Sequence, residues 1–284
     1  VHAVTLTGDG ERAHLRTPEI SLQTHIDDVL GLIEAEELQD LVLVAHSYGG
    51  MPVTGAAATL RERQPQRVRG LVYVDAMVPL PGEGWGAAHP PEVVSARLAA
   101  AAAHGNALPP PDPAQGFALS EADADWLRRR HVPHPFGMYR VPLHYDGARL
   151  EGLPRLFIDC HQPAYPTIDA MRQRVRQLPG WQVVTMATGH FPMLTQPQAL
   201  TQHLLDLVLQ RMRRLAIVGA LAQHEGLDDA AQGALGQFSK RDLQRLRRGL
   251  VRFAMKRHGA PTDRAPSCAP RHNVCRAQNP WAPP

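Results

Sequence analysis

A serine stands between an apolar run and a pair of glycines in Leu41-Val42-Leu43-Val44-Ala45-His46-Ser47-Tyr48-Gly49-Gly50. The run reads as a buried strand, and the glycines mark a sharp turn from that strand into a helix. Ala45 and Gly49, two residues before and two after the serine, are small. A backbone that crosses itself closely requires this, and the pattern is A-x-S-x-G. Such a turn lifts the Ser47 hydroxyl above a sheet at a helix N-terminus, where backbone N–H groups and the helix dipole favour an oxyanion. The N–H of Tyr48 would be one donor. The chemistry indicated is attack of Ser47 Oγ on a carbonyl carbon, and the plainer alternative is a capping serine in an ordinary turn.

A neutral serine is a weak nucleophile and needs a base within hydrogen-bond reach, most often histidine. His190 is the candidate. It lies in Ala187-Thr188-Gly189-His190-Phe191-Pro192, directly after an expected strand, Gln182 to Met186. In a parallel sheet, the loop at the carboxyl end of that strand opens onto the same rim as Ser47.

These residues need a scaffold of alternating strands and helices. Five short runs rich in valine, leucine and isoleucine read as buried parallel strands: His2 to Leu6, Leu41 to His46, Gly70 to Asp75, Leu156 to Cys160 and Gln182 to Met186. Ser21 to Glu37 carries Leu22, Ile26, Val29, Leu30 and Ile33 at helical spacing, and Met51 to Arg63, Ile168 to Gln177 and Pro197 to Arg211 supply further helices. The fold class expected is α/β, a mainly parallel sheet with helices on both faces. Between Val78 and Ala148 the alternation gives way to a stretch rich in proline, alanine and histidine, with helical patches at Glu92 to Ala103 and Ser120 to His131. This segment, 78–148, reads as an inserted cap on a core made of residues 1–77 and 149–214. Trp85, Trp126, Phe136, Met138 and Tyr139 within it could line an apolar pocket or serve as plain cap packing.

The 284 residues carry a formal net charge of +3, and the basic excess is confined to one end. Residues 211–284 hold 14 Lys and Arg against 5 Asp and Glu, whereas the remainder is net acidic. The basic balance therefore gives no reason to expect a nucleic-acid partner for the main domain. In the tail, 215–284, Ser239 to His258 reads as a basic amphipathic helix with Ser239 and Asp242 as an N-terminal capping pair, and 259–284 as disordered. No apolar run approaches the roughly 20 residues of a membrane-spanning helix. Three cysteines fit a reducing, cytoplasmic setting better than a disulfide framework. Cys268, His272 and Cys275 fall short of a zinc site, and Gly8-Asp9-Gly10 lacks the third glycine of a dinucleotide fingerprint, so no metal and no cofactor is expected.

With Val4-Thr5-Leu6-Thr7-Gly8-Asp9-Gly10-Glu11-Arg12 and Thr24-His25-Ile26-Asp27-Asp28-Val29, the serine turn and the histidine loop resemble the esterase branch of the alpha/beta-hydrolases. That branch includes plant methylesterases, hydroxynitrile lyases and bacterial esterases. The resemblance covers about residues 1–210. It implies a carboxylic-ester hydrolase that takes a small-molecule ester and forms an acyl-enzyme. The lyases of the branch carry a lysine near the histidine, whereas Phe191-Pro192-Met193 follows His190 here. Other readings are carbon–carbon cleavage on the same site and a non-catalytic binder that keeps the pocket.

The branch places its third catalytic group, an aspartate, in the loop after the strand that here ends at Cys160. That loop reads His161-Gln162-Pro163-Ala164-Tyr165-Pro166 and has no carboxylate. Asp75, at the end of Val72-Tyr73-Val74-Asp75, resembles the strand-end acid of some haloalkane dehalogenases and is the preferred substitute. Asp159 is the second choice, and Asp169 is read as a helix start.

The resemblance also implies a strand and an oxyanion loop upstream of Val1, so the first strands of the fold are expected to be missing. A chain extended upstream is expected to resist denaturation better and to turn over ester about a hundredfold faster or more, the usual effect of regaining an oxyanion donor. Urea unfolding and ester turnover of the two chains check this.

Overall fold

The computed structural model describes residues 1–207. The readings made for Ser239 to His258, 259–284 and Cys268, His272 and Cys275 lie outside the described residues. Four strands form the main sheet: β1 (Leu41–His46), β2 (Val68–Val74), β5 (Arg155–Cys160) and β6 (Trp181–Met186). They run parallel in the order β1-β2-β5-β6. Two residues each of β3 (Ala107–Leu108) and β4 (His134–Pro135) make a small antiparallel pair between β2 and β5 in sequence.

Buried strands rich in branched residues have no polar face, and β2 and β5 at the middle of this sheet pack on both faces. Leu71 and Tyr73 of β2 and Phe157 of β5 join a core with Ile26, Val29 and Ile33 of α1 (Leu22–Ala35) and with Met51, Ala57 and Leu60 of α2 (Gly50–Arg63). Val72, Val74, Leu156 and Ile158, on the alternate positions, join Leu207 and the partly buried Leu200 and Leu204 of the helical stretch 197–207.

Helix α1 begins where its capping chemistry allows. The Thr24 backbone N–H donates to Ser21 Oγ and the Ser21 N–H to Thr24 Oγ1, a reciprocal box that satisfies two otherwise open donors. At its other end the buried Arg67 donates to the carbonyls of Ile33 and Leu38 and to Glu34 Oε1.

The segment between β2 and β5 carries α3 (Pro91–Ala103) and α4 (Glu121–Arg128). Helix α5 (Asp169–Gln177) follows β5, and the short α6 (Pro192–Thr195) follows the histidine loop. Four expected strands thus coincide with observed ones to within two residues.

The fifth does not. His2 to Leu6 is not a strand. Alternating apolar residues suit a strand only when a neighbour pairs with the backbone, and among the described residues the ladder partner of β1 is β2 alone. The segment is anchored instead by its end. Thr7 donates its N–H and hydroxyl to Asp28, and Arg12 donates to Asp28 and to Thr5 O. Val44 of β1 is 45% exposed.

Candidate active site

Ser47 opens a one-turn 3-10 segment, Ser47–Gly49, between β1 and α2, and its φ of 54° lies in the left-handed region that side chains avoid. Asp75, immediately after β2, also has a positive φ, 42°. The parallel register sets His46 beside Val74, so these two strained residues leave neighbouring strands side by side. The Met77 N–H donates to Ser47 O at 2.9 Å and locks the two turns together.

The small residue this crossing demands is Gly50. A Cβ there would lie 1.8 Å from Met77 O, whereas one at Gly49 would meet nothing within 4 Å. The steric role expected of Gly49 therefore belongs to its neighbour.

His190 follows Gly189, where a Cβ would come within 2.4 Å of Phe117 O, so the loop lies tightly against the segment between β2 and β5. His46 Nε2 donates to the His190 carbonyl at 2.7 Å and pins the loop from the end of β1. The imidazole then bridges the two turns. Its Nδ1 lies 2.7 Å from Asp75 Oδ2, and its Nε2 lies 2.9 Å from Ser47 Oγ. An ionised carboxylate can only accept, so Nδ1 carries the proton and Nε2 is left to accept from the serine hydroxyl.

Asp75 is fully buried and His190 is 4% exposed. The rings of Tyr165 and Phe117 close over the imidazole, with centroids 4.4 and 6.2 Å away. Burial disfavours charge on both partners. It pushes Asp75 up to about 6, against the pull of Arg172 and His46, and it pushes His190 down, helped by Arg172. Two groups this close take up a proton as a pair.

The other candidates fall elsewhere. Asp159 accepts from Arg172 Nε at 2.8 Å and from Arg176. Asp169, at the start of α5, accepts from Arg172. Tyr48 follows Ser47 at the N-terminal side of α2, and its hydroxyl meets His25 Nδ1 at 3.1 Å. Burial raises that phenol well above its ordinary range, so it stays neutral.

A cavity of ≈1430 Å³ runs from residues 1–6 and the side of β1 at Val42 and Val44 to Ser47, Tyr48 and His190, where Trp85, Trp126, Phe136 and Tyr139 stand in its walls. Met138 is not among them. It is fully buried in the core beneath. Among the described residues no group of three or more His, Cys, Asp or Glu side chains is arranged to hold a metal ion, and no helix is long and apolar enough to cross a membrane.

Residues 1–203 match the model of the alpha/beta hydrolase family. The chain belongs to that family. This alpha/beta hydrolase is 40% identical over 210 residues to a carbendazim hydrolyzing esterase of a Nocardioides species, which spans 70% of this chain and 84% of that one. It is 25% identical over 232 residues to a pyrethroid hydrolase of Sphingobium wenxiniae, covering 72% and 76%. An extracellular alpha/beta-hydrolase from a Paenibacillus species superposes with a TM-score of 0.57 at 18% identity, over 69% of this chain and 81% of that one, a likeness of fold. The resemblance to esterases and the enzyme class it implied, a carboxylic-ester hydrolase, agree with the named relatives.

Sequence reasoning missed Arg172 and the aromatic cover from Phe117 and Tyr165. Arg172 did leave a signal. It lies four residues after Ile168 and three before Val175, on the apolar stripe of α5, where an arginine needs buried acceptors.

Two outcomes follow from this geometry. Gly50→Ala costs about 3 kcal/mol or more of stability, because backbone must move, whereas Gly49→Ala stays within about 0.5 kcal/mol, as read by urea unfolding. Fluorophosphonate reactivity of Ser47 falls as pH drops through about 6, where the buried pair takes up its proton, as read from labelling rates against pH.

Proposed function

We propose that this alpha/beta hydrolase is a serine esterase in which Ser47, His190 and Asp75 act as nucleophile, base and orienting acid. One observation carries the reading: the unbroken chain of hydrogen bonds from Ser47 Oγ through both nitrogens of His190 to Asp75, at 2.9 and 2.7 Å. His190 Nε2 takes the hydroxyl proton as Ser47 Oγ bonds to the ester carbonyl carbon. The tetrahedral adduct collapses, its bond to the alcohol oxygen breaks, and His190 returns the proton to the departing alcohol. Water then attacks the acyl-enzyme and gives a proton to His190. Release of the acid restores it to Ser47. Asp75 holds the imidazole in the tautomer that accepts from serine and stabilises the imidazolium that forms. The Tyr48 N–H, at the start of α2, is the proposed oxyanion donor.

The substrate in this reading is a small, fairly apolar ester bound beneath residues 78–148, which form a cap on the core 1–77 and 149–214. Aromatic walls favour flat or hydrocarbon-rich acyl and alcohol groups. The relatives' names suggest carbendazim and a pyrethroid as the esters to try beside 4-nitrophenyl acetate. A cytoplasmic setting belongs to the same reading, on the sparse cysteine usage of the sequence.

A fluorophosphonate probe and the three esters test the proposal. Wild type is labelled and hydrolyses at least one ester. Ser47→Ala loses both, and Asp75→Asn lowers kcat by about a thousandfold or more, because an amide that donates to Nδ1 leaves the imidazole in the wrong tautomer. Labelling that persists in Ser47→Ala, or full turnover in Asp75→Asn, sinks the assignment.

A further inference from the structure

Arg172 enters the interior from the first turn of α5 and ends between the carboxyl ends of β2 and β5. All its donors find acceptors. Nε donates to Asp159 Oδ1 at 2.8 Å, one terminal nitrogen to Tyr165 O at 3.0 Å and Asp169 Oδ1 at 2.5 Å, and the other to Cys160 O at 3.0 Å and Asp75 Oδ1 at 2.6 Å. Five N–H groups in a rigid fork meet five acceptors, an arrangement that permits one orientation of the guanidinium.

A purely structural arginine here could have been satisfied by Asp159 and the carbonyls. What separates this one is its last bond. It holds the oxygen of Asp75 that His190 does not use, and so places the carboxylate between a fixed cation and the imidazole. We infer that Arg172 is a positioning residue of the esterase reaction: it fixes Oδ1 of Asp75 so that Oδ2 stays turned to His190. The inference rests on the assignment of Ser47, His190 and Asp75 made above.

The surrounding charges give it a direction. Arg172 opposes proton uptake by Asp75 and by His190 alike, so its loss moves the acid limb of the pH profile upward. Asp159 acts oppositely on Asp75, favouring the proton, so its loss moves the limb downward. The other groups facing this cluster are few. The ring of His46 lies tilted 4.6 Å from that of His190, and a charge on it favours the ionised Asp75. Tyr165 covers the imidazole. Cys160, its thiol pushed up to about 12 by burial and the two carboxylates, stays neutral. Asp169 and Arg176 complete the cluster from the more exposed side of α5.

The test uses the full chain and its Arg172→Gln, Arg172→Lys, Asp159→Asn and Asp75→Asn variants. Ester kinetics and fluorophosphonate labelling are read across about pH 5 to 9, with melting curves to establish folding. Arg172→Gln is expected to lower kcat by about tenfold to a hundredfold with little change in KM, and to raise the acid limb by about one pH unit or more. Arg172→Lys restores the position of the limb and recovers part of kcat, since an ammonium supplies the charge and not the fork. Asp159→Asn moves the limb to lower pH. A general loss of packing would lower activity in these variants without shifting their limbs in opposite directions. If Arg172→Gln does not fold, the lysine variant and Asp159→Asn carry the test, and a limb unmoved in Asp159→Asn overturns the inference. So does an unchanged kcat and limb in a folded Arg172→Gln while Asp75→Asn is inactive. Full turnover in Asp75→Asn removes the underlying assignment, and the inference with it, and is told apart by that variant alone.

Discussion

The backbone crossing of Gly50 and Met77 is the contact on which the rest of the site depends. Met77 N–H reaches back to Ser47 O, and the space on the other side of the crossing has no room for a Cβ at position 50. With β1 and β2 already in parallel register, this contact leaves Ser47 and Asp75 no freedom to separate. The imidazole of His190 has then only to fill a gap of fixed width, and its loop is pinned on one side by His46 and on the other by the close approach of Gly189 to Phe117. Geometry of this kind is held by main chain, which moves far less readily than side chains do.

Electrostatics add the second layer. A carboxylate with no exposed surface stays charged only if its lone pairs are answered. Here one oxygen meets a guanidinium and the other an imidazole N–H, while a second buried carboxylate, Asp159, lies behind the same guanidinium. Partial exposure of Arg176 lets water share in balancing the charge on that side. Burial that raises Asp75 and lowers His190 favours an uncharged imidazole, whose Nε2 lies within hydrogen-bond reach of Ser47 Oγ.

Much of this was legible in the residues and some was not. An apolar run followed by small residues states a strand and a turn locally, and Ser47 stands out within it. His190 is legible because its loop follows a readable strand. Asp75 could be reached through its place at a strand end. Arg172 escaped although it lies on the apolar stripe of α5, because the carboxylates it meets, Asp75 and Asp159, come from the sheet and not from its neighbours in sequence. His2 to Leu6 failed for the converse reason. Its alternation is local, whereas strand formation needs a partner elsewhere. The shift from Gly49 to Gly50 has the same origin, since only the crossing with Met77 tells the two glycines apart.

The left-handed backbone of Ser47 sets durability against chemistry at a single position. A non-glycine residue held there costs about 1 to 2 kcal/mol, which glycine would relieve while removing the hydroxyl. If Ser47 has the role proposed for it, a library sorted by heat resistance alone enriches inert variants at this position, and any campaign to harden the protein has to select on turnover as well as survival.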